Sequence, residues 1–333
     1  MFIICEAGVT NYGDMRLAKK QIDAAVAAKA NAIKFQLWRT TDLVSQKVAK
    51  RYEKKLGYDW FERLKYKEFA PEDMQELQAY AQRRGIVFFA TAHDDTSLEY
   101  LDVRLRVPFF KVGSGEVDNE AFLENVGRRR KPVFISFGFH TDAEVHHAMS
   151  VLRRAGARGV TPLHCTTRYP TPPDAVNLCR IDWFRDTFGT VGFSDHSVGW
   201  HACLAAVARG ATIIEKHLTF DKNDPRSLDN PGALLPNEFK AMVCAIRDIE
   251  AMLRPPRSSF VTRERARARE WAGQAIVAAR AIAVGEILTN DMICFKRPAK
   301  GGILARDVRE VVGKRVRLEI PVDEQITRKY LIV

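Results

Sequence analysis

Two histidines and two lysines carry the strongest chemical signal in this chain of 333 residues. His196 closes the run Gly192-Phe193-Ser194-Asp195-His196, and His217 closes Ile213-Ile214-Glu215-Lys216-His217. Each run is short, apolar and β-branched or aromatic before it turns polar, which reads as a buried strand opening onto a site. On a period of two, Ser194 and His196 share one face, and Glu215 and His217 share the matching face. The Ala-rich stretch from Val198 to Gly210 has helical character, so the unit reads β-α-β with parallel strands about 5 Å apart. A single His in such a place is ordinarily a hydrogen-bonded core residue. Two at matched strand ends are placed to hold one metal ion. Lys34 and Lys111 lie inside apolar runs of their own, and an unpaired buried ammonium is costly. Both therefore require anions.

The elements that position these groups follow in regular order. Strands are expected at Phe2–Glu6, Asn31–Leu37, Ile86–Thr91, Phe109–Lys111, Pro132–Ser136 and Gly159–Cys165, ahead of the pair already described. Helices are expected over Asp14–Ala30, Pro71–Arg84, Asp95–Val103, Asp142–Arg154, near Ile181 and over Pro236–Leu253. Eight alternating βα units make a (β/α)8 TIM barrel. A polar and aromatic insertion from Trp38 to Phe69 is too long for an ordinary βα connection and reads as a lid. Polar residues recur at or just beyond the strand ends: Glu6, Lys34, Gln36, Thr91, Lys111, Ser114, Glu116, Ser136, Thr167, Ser194, His196, Glu215 and His217. That is the face where barrel enzymes keep their active sites.

Composition sets the outer limits. The chain is 46% apolar and 28% charged, with no apolar run long enough for a membrane helix. Its six cysteines are scattered without a C-x-x-C pair, as expected of reduced thiols in a cytoplasmic protein. The net charge of +11 is concentrated in part between Arg254 and Arg269. No basic, aromatic-interleaved groove accompanies it, so nucleic acid is not an expected partner. The domain reading is a barrel over 1–253, an Arg-rich linker over 254–271 and a small β-rich domain over 272–333. Within the last, Ile282 to Thr289 repeats as Ile320 to Thr327, the mark of a pseudo-symmetric fold. Arg297 lies between the two copies.

In these motifs the chain resembles the sialic acid synthase family, whose members condense phosphoenolpyruvate with an N-acylated hexosamine. The resemblance rests on Glu6-Ala-Gly8, Ile33-Lys-Phe-Gln36, Phe110 to Glu116, His164-Cys-Thr166 with Tyr169-Pro170, Phe193 to His196, and Ile214 to His217. The last 62 residues, with Lys296-Arg297-Pro298, resemble the family's antifreeze-like (SAF) domain. The resemblance implies a divalent cation, manganese or magnesium, on His196 and His217. It implies phosphoenolpyruvate on Lys34, Thr91, Lys111, Ser114, Ser136 and Ser194. Glu6, Gln36, Glu116, Tyr169 and Asp229 then surround the sugar and the reacting carbons; Glu116, one loop beyond Lys111, is in addition the candidate for proton handling. It further implies a domain-swapped homodimer in which Arg297 enters the partner's site.

The chain departs from the family pattern at Thr10-Asn11-Tyr12, at Phe137 to Phe139, at Leu228-Asp229-Asn230 and at Gly273 to Ala275. The first three fall on the sugar side. The expected activity is therefore that of a phosphoenolpyruvate-dependent synthase with its acceptor open: N-acetylmannosamine, a legionaminic or pseudaminic acid precursor, or a 6-phosphorylated sugar. A catalytically silent sugar-binding relative is the other reading. A metal-dependent barrel hydrolase lacks its expected first-strand His-x-His.

Overall fold

Strand side chains alternate between two faces, and here one face of every barrel strand points inward. The computed structural model describes residues 1–332. Its first compact unit, Met1–Leu253, is a closed parallel barrel. The strands are β1 (Phe2–Glu6), β2 (Ala32–Leu37), β3 (Val87–Ala92), β4 (Phe110–Val112), β5 (Val133–Phe137), β6 (Val160–Cys165), β7 (Gly192–Asp195) and β8 (Ile213–His217). β8 closes on β1 with Glu6 level with His217, while on the other side Glu6 stands level with Lys34 of β2.

The helices that cover the barrel match the apolar spacing of the sequence. α1 (Met15–Ala27) starts where the Asp14 carboxylate accepts from the amides of Arg16 and Leu17, satisfying N–H groups that have no partner within the helix. The 38–69 insertion forms three short helices, α2 (Thr40–Leu43), α3 (Gln46–Leu56) and α4 (Trp60–Lys65), around a small core of Val44, Ala49 and Phe61. α5 (Pro71–Arg84) and α6 (Asp95–Glu99) follow, the latter running into a π-helical turn over Tyr100–Arg104 instead of continuing as one α-helix to Val103. The circuit ends with α7 (Glu120–Arg128), α8 (Asp142–Ala155), α9 (Arg180–Phe188), α10 (His201–Ala208) and α11 (Pro236–Leu253).

The barrel interior changes character along its axis. At the N-terminal end Phe2, Phe89, Phe109 and Phe134 pack ring against ring, with centroids 4.6 to 6.4 Å apart. This plug is a floor without polar groups. Above it Leu163 and Ile213 fill the bore across Gly192, where a Cβ would stand 2.8 Å from Leu163 Cγ and 2.9 Å from Ile213 Cβ. Gly192 is thus dictated by space.

The second unit begins at Arg254. The Arg-rich stretch read as a linker carries a helix, α12 (Ser258–Ala272), with no buried residue. Beyond it β9 (Ala275–Ala278) and β10 (Ile293–Lys296) pair antiparallel. The sequence repeat is a structural one. Ile282 and Ile320, equivalent across an offset of 38 residues, exchange both backbone hydrogen bonds at 2.9 Å. The pairing Val277 with Gln325 recurs under the same offset as Ile287 with Arg315. The helical turns Asn290–Met292 and Arg328–Tyr330 are equivalent too, each preceded by a Thr. Such reciprocal contacts are what a local two-fold axis requires.

Among the described residues no helix is long and apolar enough to cross a membrane.

Gly192→Ala is expected to destabilise the barrel by about 1–3 kcal/mol, the usual cost of overpacking a filled core. Urea unfolding should show a lower midpoint with an unchanged slope. An unchanged midpoint would mean that Leu163 and Ile213 can yield.

Candidate active site

A cavity of about 400 Å³ opens at the C-terminal end of the barrel. All the site residues expected in the barrel line it: Glu6, Lys34, Gln36, Thr91, Lys111, Ser114, Glu116, Ser136, Thr167, Tyr169, Ser194, His196, His217 and Asp229. Arg297 belongs to the second unit, where it is exposed.

The cavity floor is a network of buried charge. Lys34 lies 2.8 Å from Glu6 and 3.8 Å from Glu215, and donates to Thr91 Oγ1 at 2.9 Å. Lys111 lies 3.4 Å from the same Glu215, which also accepts from Ser194 Oγ at 3.0 Å. Gln36 donates to Glu6 at 2.8 Å. The two lysines were expected to need anions, and the protein supplies two of its own. They are unequal. Burial opposes ionisation of Glu215, but Lys111, Lys34 and His217 overcome it and hold its pKa down at about 2. Burial dominates at Glu6 and pushes its pKa up despite Lys34, so Glu6 is the weaker counter-ion. Burial works against the Lys34 ammonium, yet Glu215 and Glu6 together raise its pKa.

Several buried polar atoms here have no partner: Glu215 Oε2, Glu116 Oε2, Ser136 Oγ, His217 Nδ1 and Asp229 Oδ2. Each such atom costs about 1–3 kcal/mol. Their concentration in one cavity marks a place built for a polar ligand.

The imidazoles of His196 and His217 stand 5.4 Å apart, centre to centre. His196 Nδ1 lies 2.9 Å from the Thr166 carbonyl, which makes it the protonated nitrogen and leaves Nε2 as the free donor atom. Burial, then His217, lowers the His196 pKa to about 4, keeping that lone pair available at neutral pH. His217 Nδ1 lies 3.5 Å from Asp229 Oδ2. Gly8, at φ +51°, brings the end of β1 against both, and a Cβ there would fall 2.9 Å from His217 Nδ1. Two imidazoles beside a carboxylate suit a divalent cation. Among the described residues no group of three or more His, Cys, Asp or Glu is placed to hold a metal ion.

Glu116 pairs with His93, Nδ1 to Oε1 at 2.7 Å. Burial favours its acid form, but His93 and then Lys111 bring its pKa down, leaving a carboxylate at neutral pH. Cys165 also lines the cavity, and burial pushes its thiol up to about 12, so it is no nucleophile.

The mouth differs. Trp38, Leu43, Val44, Trp60 and Leu64, all from the insertion or its edge, form an apolar wall. Two positions that depart from the family pattern meet behind Asp229: Asn230 donates to the Tyr12 hydroxyl at 2.7 Å, and Arg226 lies 3.8 Å over the Tyr12 ring. His93, Trp38 and Trp60 were not anticipated. Glu215 was placed on the right face but given no role. The one available signal for His93 was its position two residues beyond Thr91.

Comparison with known proteins supplies a family. The NeuB family profile matches residues 21–256 and the SAF domain profile residues 273–331. The chain is 35% identical to the N,N'-diacetyllegionaminic acid synthase of Campylobacter jejuni, over 97% of this chain and 98% of that one. It is 33% identical to the human N-acetylneuraminate-9-phosphate synthase, over 98% and 91%. Among solved structures, the N-acetylneuraminic acid synthetase of Leptospira borgpetersenii in complex with citrate matches with TM-score 0.69 and 31% identity, over 80% of this chain and 90% of that one.

Glu215→Gln keeps the shape but leaves two buried ammoniums facing a neutral amide, so the variant should be less stable at pH 7 by about 3–5 kcal/mol. Because the folded-state pKa of Glu215 is depressed, its contribution is full above about 4.5 and is lost as pH falls toward about 2. Urea unfolding across that window should show the two proteins converging. A constant gap would assign the stabilisation to something other than charge.

Proposed function

The chain belongs to the NeuB family and carries a SAF domain, and from that premise we propose that it condenses phosphoenolpyruvate with an N-acylated hexosamine, releasing phosphate and a nonulosonic acid. The observation that carries this reading is the pair of buried ammoniums, Lys34 and Lys111, at the floor of a cavity rich in unpartnered polar atoms. A small, dense anion offsets what those lysines cost to bury, and hydroxyls of Thr91, Ser114, Ser136 and Ser194 add donors around it.

The proposed chemistry balances as follows. C3 of phosphoenolpyruvate bonds to the aldehyde carbon of the open-chain sugar, whose oxygen takes a proton. Water adds at C2, and the C2–O bond to phosphate breaks, leaving a 2-keto-3-deoxy acid. Glu116 is the group to take the proton from that water, since it is ionised, held by His93 and keeps one oxygen free. Glu6 and Gln36, joined to each other, border the reacting carbons. Tyr169, against His196 with ring centres 4.1 Å apart, and Thr167 flank the sugar. His196 and His217 would hold Mn²⁺ or Mg²⁺, which when bound supplies Lewis-acid polarisation of the aldehyde.

We place this activity in the cytoplasm, which suits six free thiols, and in a homodimer. Arg297 has no ion pair or hydrogen bond among the described residues, whereas its neighbour Lys296 pairs with Asp323. A guanidinium without a local role is available to a second subunit.

A panel of sugars with phosphoenolpyruvate and Mn²⁺ tests the reading: phosphate release should require both substrates and the ion, and the product mass should equal their sum less phosphate plus water. Lys111→Met should weaken phosphoenolpyruvate about ten- to hundredfold, the loss of one charge-assisted contact. Unchanged binding by calorimetry would remove Lys111 from the substrate. Tight sugar binding without turnover across the panel would instead favour a silent binder.

The dimer has its own check. Mixing inactive Arg297→Ala chains with inactive Lys111→Met chains should restore activity if each Arg297 completes the partner's site. No recovery on mixing would confine every site to one chain.

A further inference from the structure

His93 stands among the ends of three neighbouring strands, β2, β3 and β4. It is the first residue beyond β3, and its amide donates to the Leu37 carbonyl of β2 at 3.2 Å. The next residue, Asp94, accepts from the Arg39 amide at 2.9 Å, which ties this strand end to the start of the insertion. The Trp38 indole meets the His93 ring edge-on, with centres 6.3 Å apart, and donates to Thr40 Oγ1 at 3.1 Å. Backbone and ring are thus held in place by the fold, as a group that must orient another requires.

Glu116 approaches from the β4 side. The helical turn Ser114–Glu116 follows that strand, and the Glu116 side chain folds back over Gly113. A Cβ at Gly113 would stand 2.7 Å from Glu116 Oε2 and 3.9 Å from His93 Cε1. Glycine therefore leaves the space in which carboxylate and imidazole meet, Nδ1 to Oε1 at 2.7 Å. All three residues line the cavity. The contact engages one carboxylate oxygen and leaves Oε2 buried without a partner. The other cation acting on Glu116 is Lys111, and that ammonium is already 3.4 Å from Glu215. A Glu116 free to swing onto Lys111 would spend its lone pairs on an ion pair.

Resting on the proposed condensation, we propose that His93 is the positioning residue for the addition of water: it holds Oε1 of Glu116 away from Lys111 and so keeps Oε2 as the base. The water proton goes to Oε2 as the water oxygen bonds C2. When the C2–O bond to phosphate breaks, the remaining hydroxyl proton leaves with the phosphate, and the proton on Glu116 offsets the one taken by the sugar oxygen. His93 reaches the rate only through Glu116. Burial alone would favour the acid form of that carboxyl, and His93, then Lys111 and the Gly113 backbone, oppose it. Without His93 the Glu116 pKa rises, and the acidic limb of the rate profile moves to higher pH with it.

His93→Phe keeps a ring beside Trp38 and removes the donor. With phosphoenolpyruvate, Mn²⁺ and the best sugar of the panel, its kcat at pH 7 should fall about ten- to hundredfold, the usual size of one charge-assisted contact. KM for phosphoenolpyruvate should stay unchanged. The acidic limb of its pH profile should shift upward, and His93→Asn, which returns a donor near the place of Nδ1, should recover part of the loss. Without substrates, infrared titration of the carboxyl band that disappears in Glu116→Gln should show Glu116 ionising at higher pH in His93→Phe than in the native protein. An unmoved titration and limb, or a loss carried by KM and uniform across pH, overturns the inference and leaves the condensation standing. A native protein that consumes no phosphoenolpyruvate with any sugar overturns the condensation, and the inference with it.

Discussion

Everything in the barrel is subordinate to keeping two ammonium groups in its bore. Charge taken out of water is stabilised only by close, well-formed partners, and the strand register supplies them. Glu6 stands level with Lys34 because β1 and β2 pair in that register, and Ser194 stands level with Glu215 because β7 and β8 do. A slip of one residue would turn every one of these side chains to the other face. Such a network adds little net stability over an apolar core of the same volume. The aromatic floor below, with Phe89 and Phe109 at 4.6 Å, is the economical filling, and the charge above it lines the cavity.

The same period of two separates cavity-facing from structural charge within a few residues. On β7 and β8, Ser194 and Glu215 face the cavity. Asp195 and Lys216 between them face outward and pair at 2.7 Å, fully buried under the helices. Asp195 also accepts from the Ser197 amide at 2.9 Å and from the Cys203 thiol at 3.3 Å, tying β8 and α10 to the end of β7. This ion pair fixes the strand ends that carry His196 and His217. Each pentapeptide therefore holds a cavity-facing set and one half of the clamp that positions it.

Much of this was legible in sequence because it depends on local rules. Apolar runs ending in polar residues located the strands, and period two assigned Lys34, Glu215 and both histidines to the inner face. What stayed hidden depends on contacts between distant positions. The lysines called for anions, but nothing local says that Glu6 and Glu215 provide part of the answer, since Lys111 and Glu215 are 104 residues apart. His93 carries no motif, and its meaning comes from Glu116, 23 residues on. The stretch after Arg254 was read from its charge as a linker. Arginine is also a good helix former, and α12 shows that solvation and helicity are compatible. The C-terminal repeat was visible as a pattern, while its reciprocal pairing at Ile282 and Ile320 required coordinates.

The departures at Tyr12 and Asn230 illustrate why paired positions must be judged together. Read singly, each removes an expected side chain from the sugar side and argues for a damaged site. In the fold they are partners, and the Asn230 amide donates both to the Tyr12 hydroxyl and to the Asp224 carbonyl at 2.7 Å. Its carbonyl oxygen in turn accepts from Thr219 at 2.8 Å. Asn230 is fully buried, and a buried amide whose polar groups are all engaged rigidifies what surrounds it. The loop it anchors is the one that presents Asp229 to His217 and Arg226 to the Tyr12 ring. The substituted pair therefore preserves the loop that holds Asp229 on the cavity wall, so two departures that look damaging one at a time leave the scaffold intact.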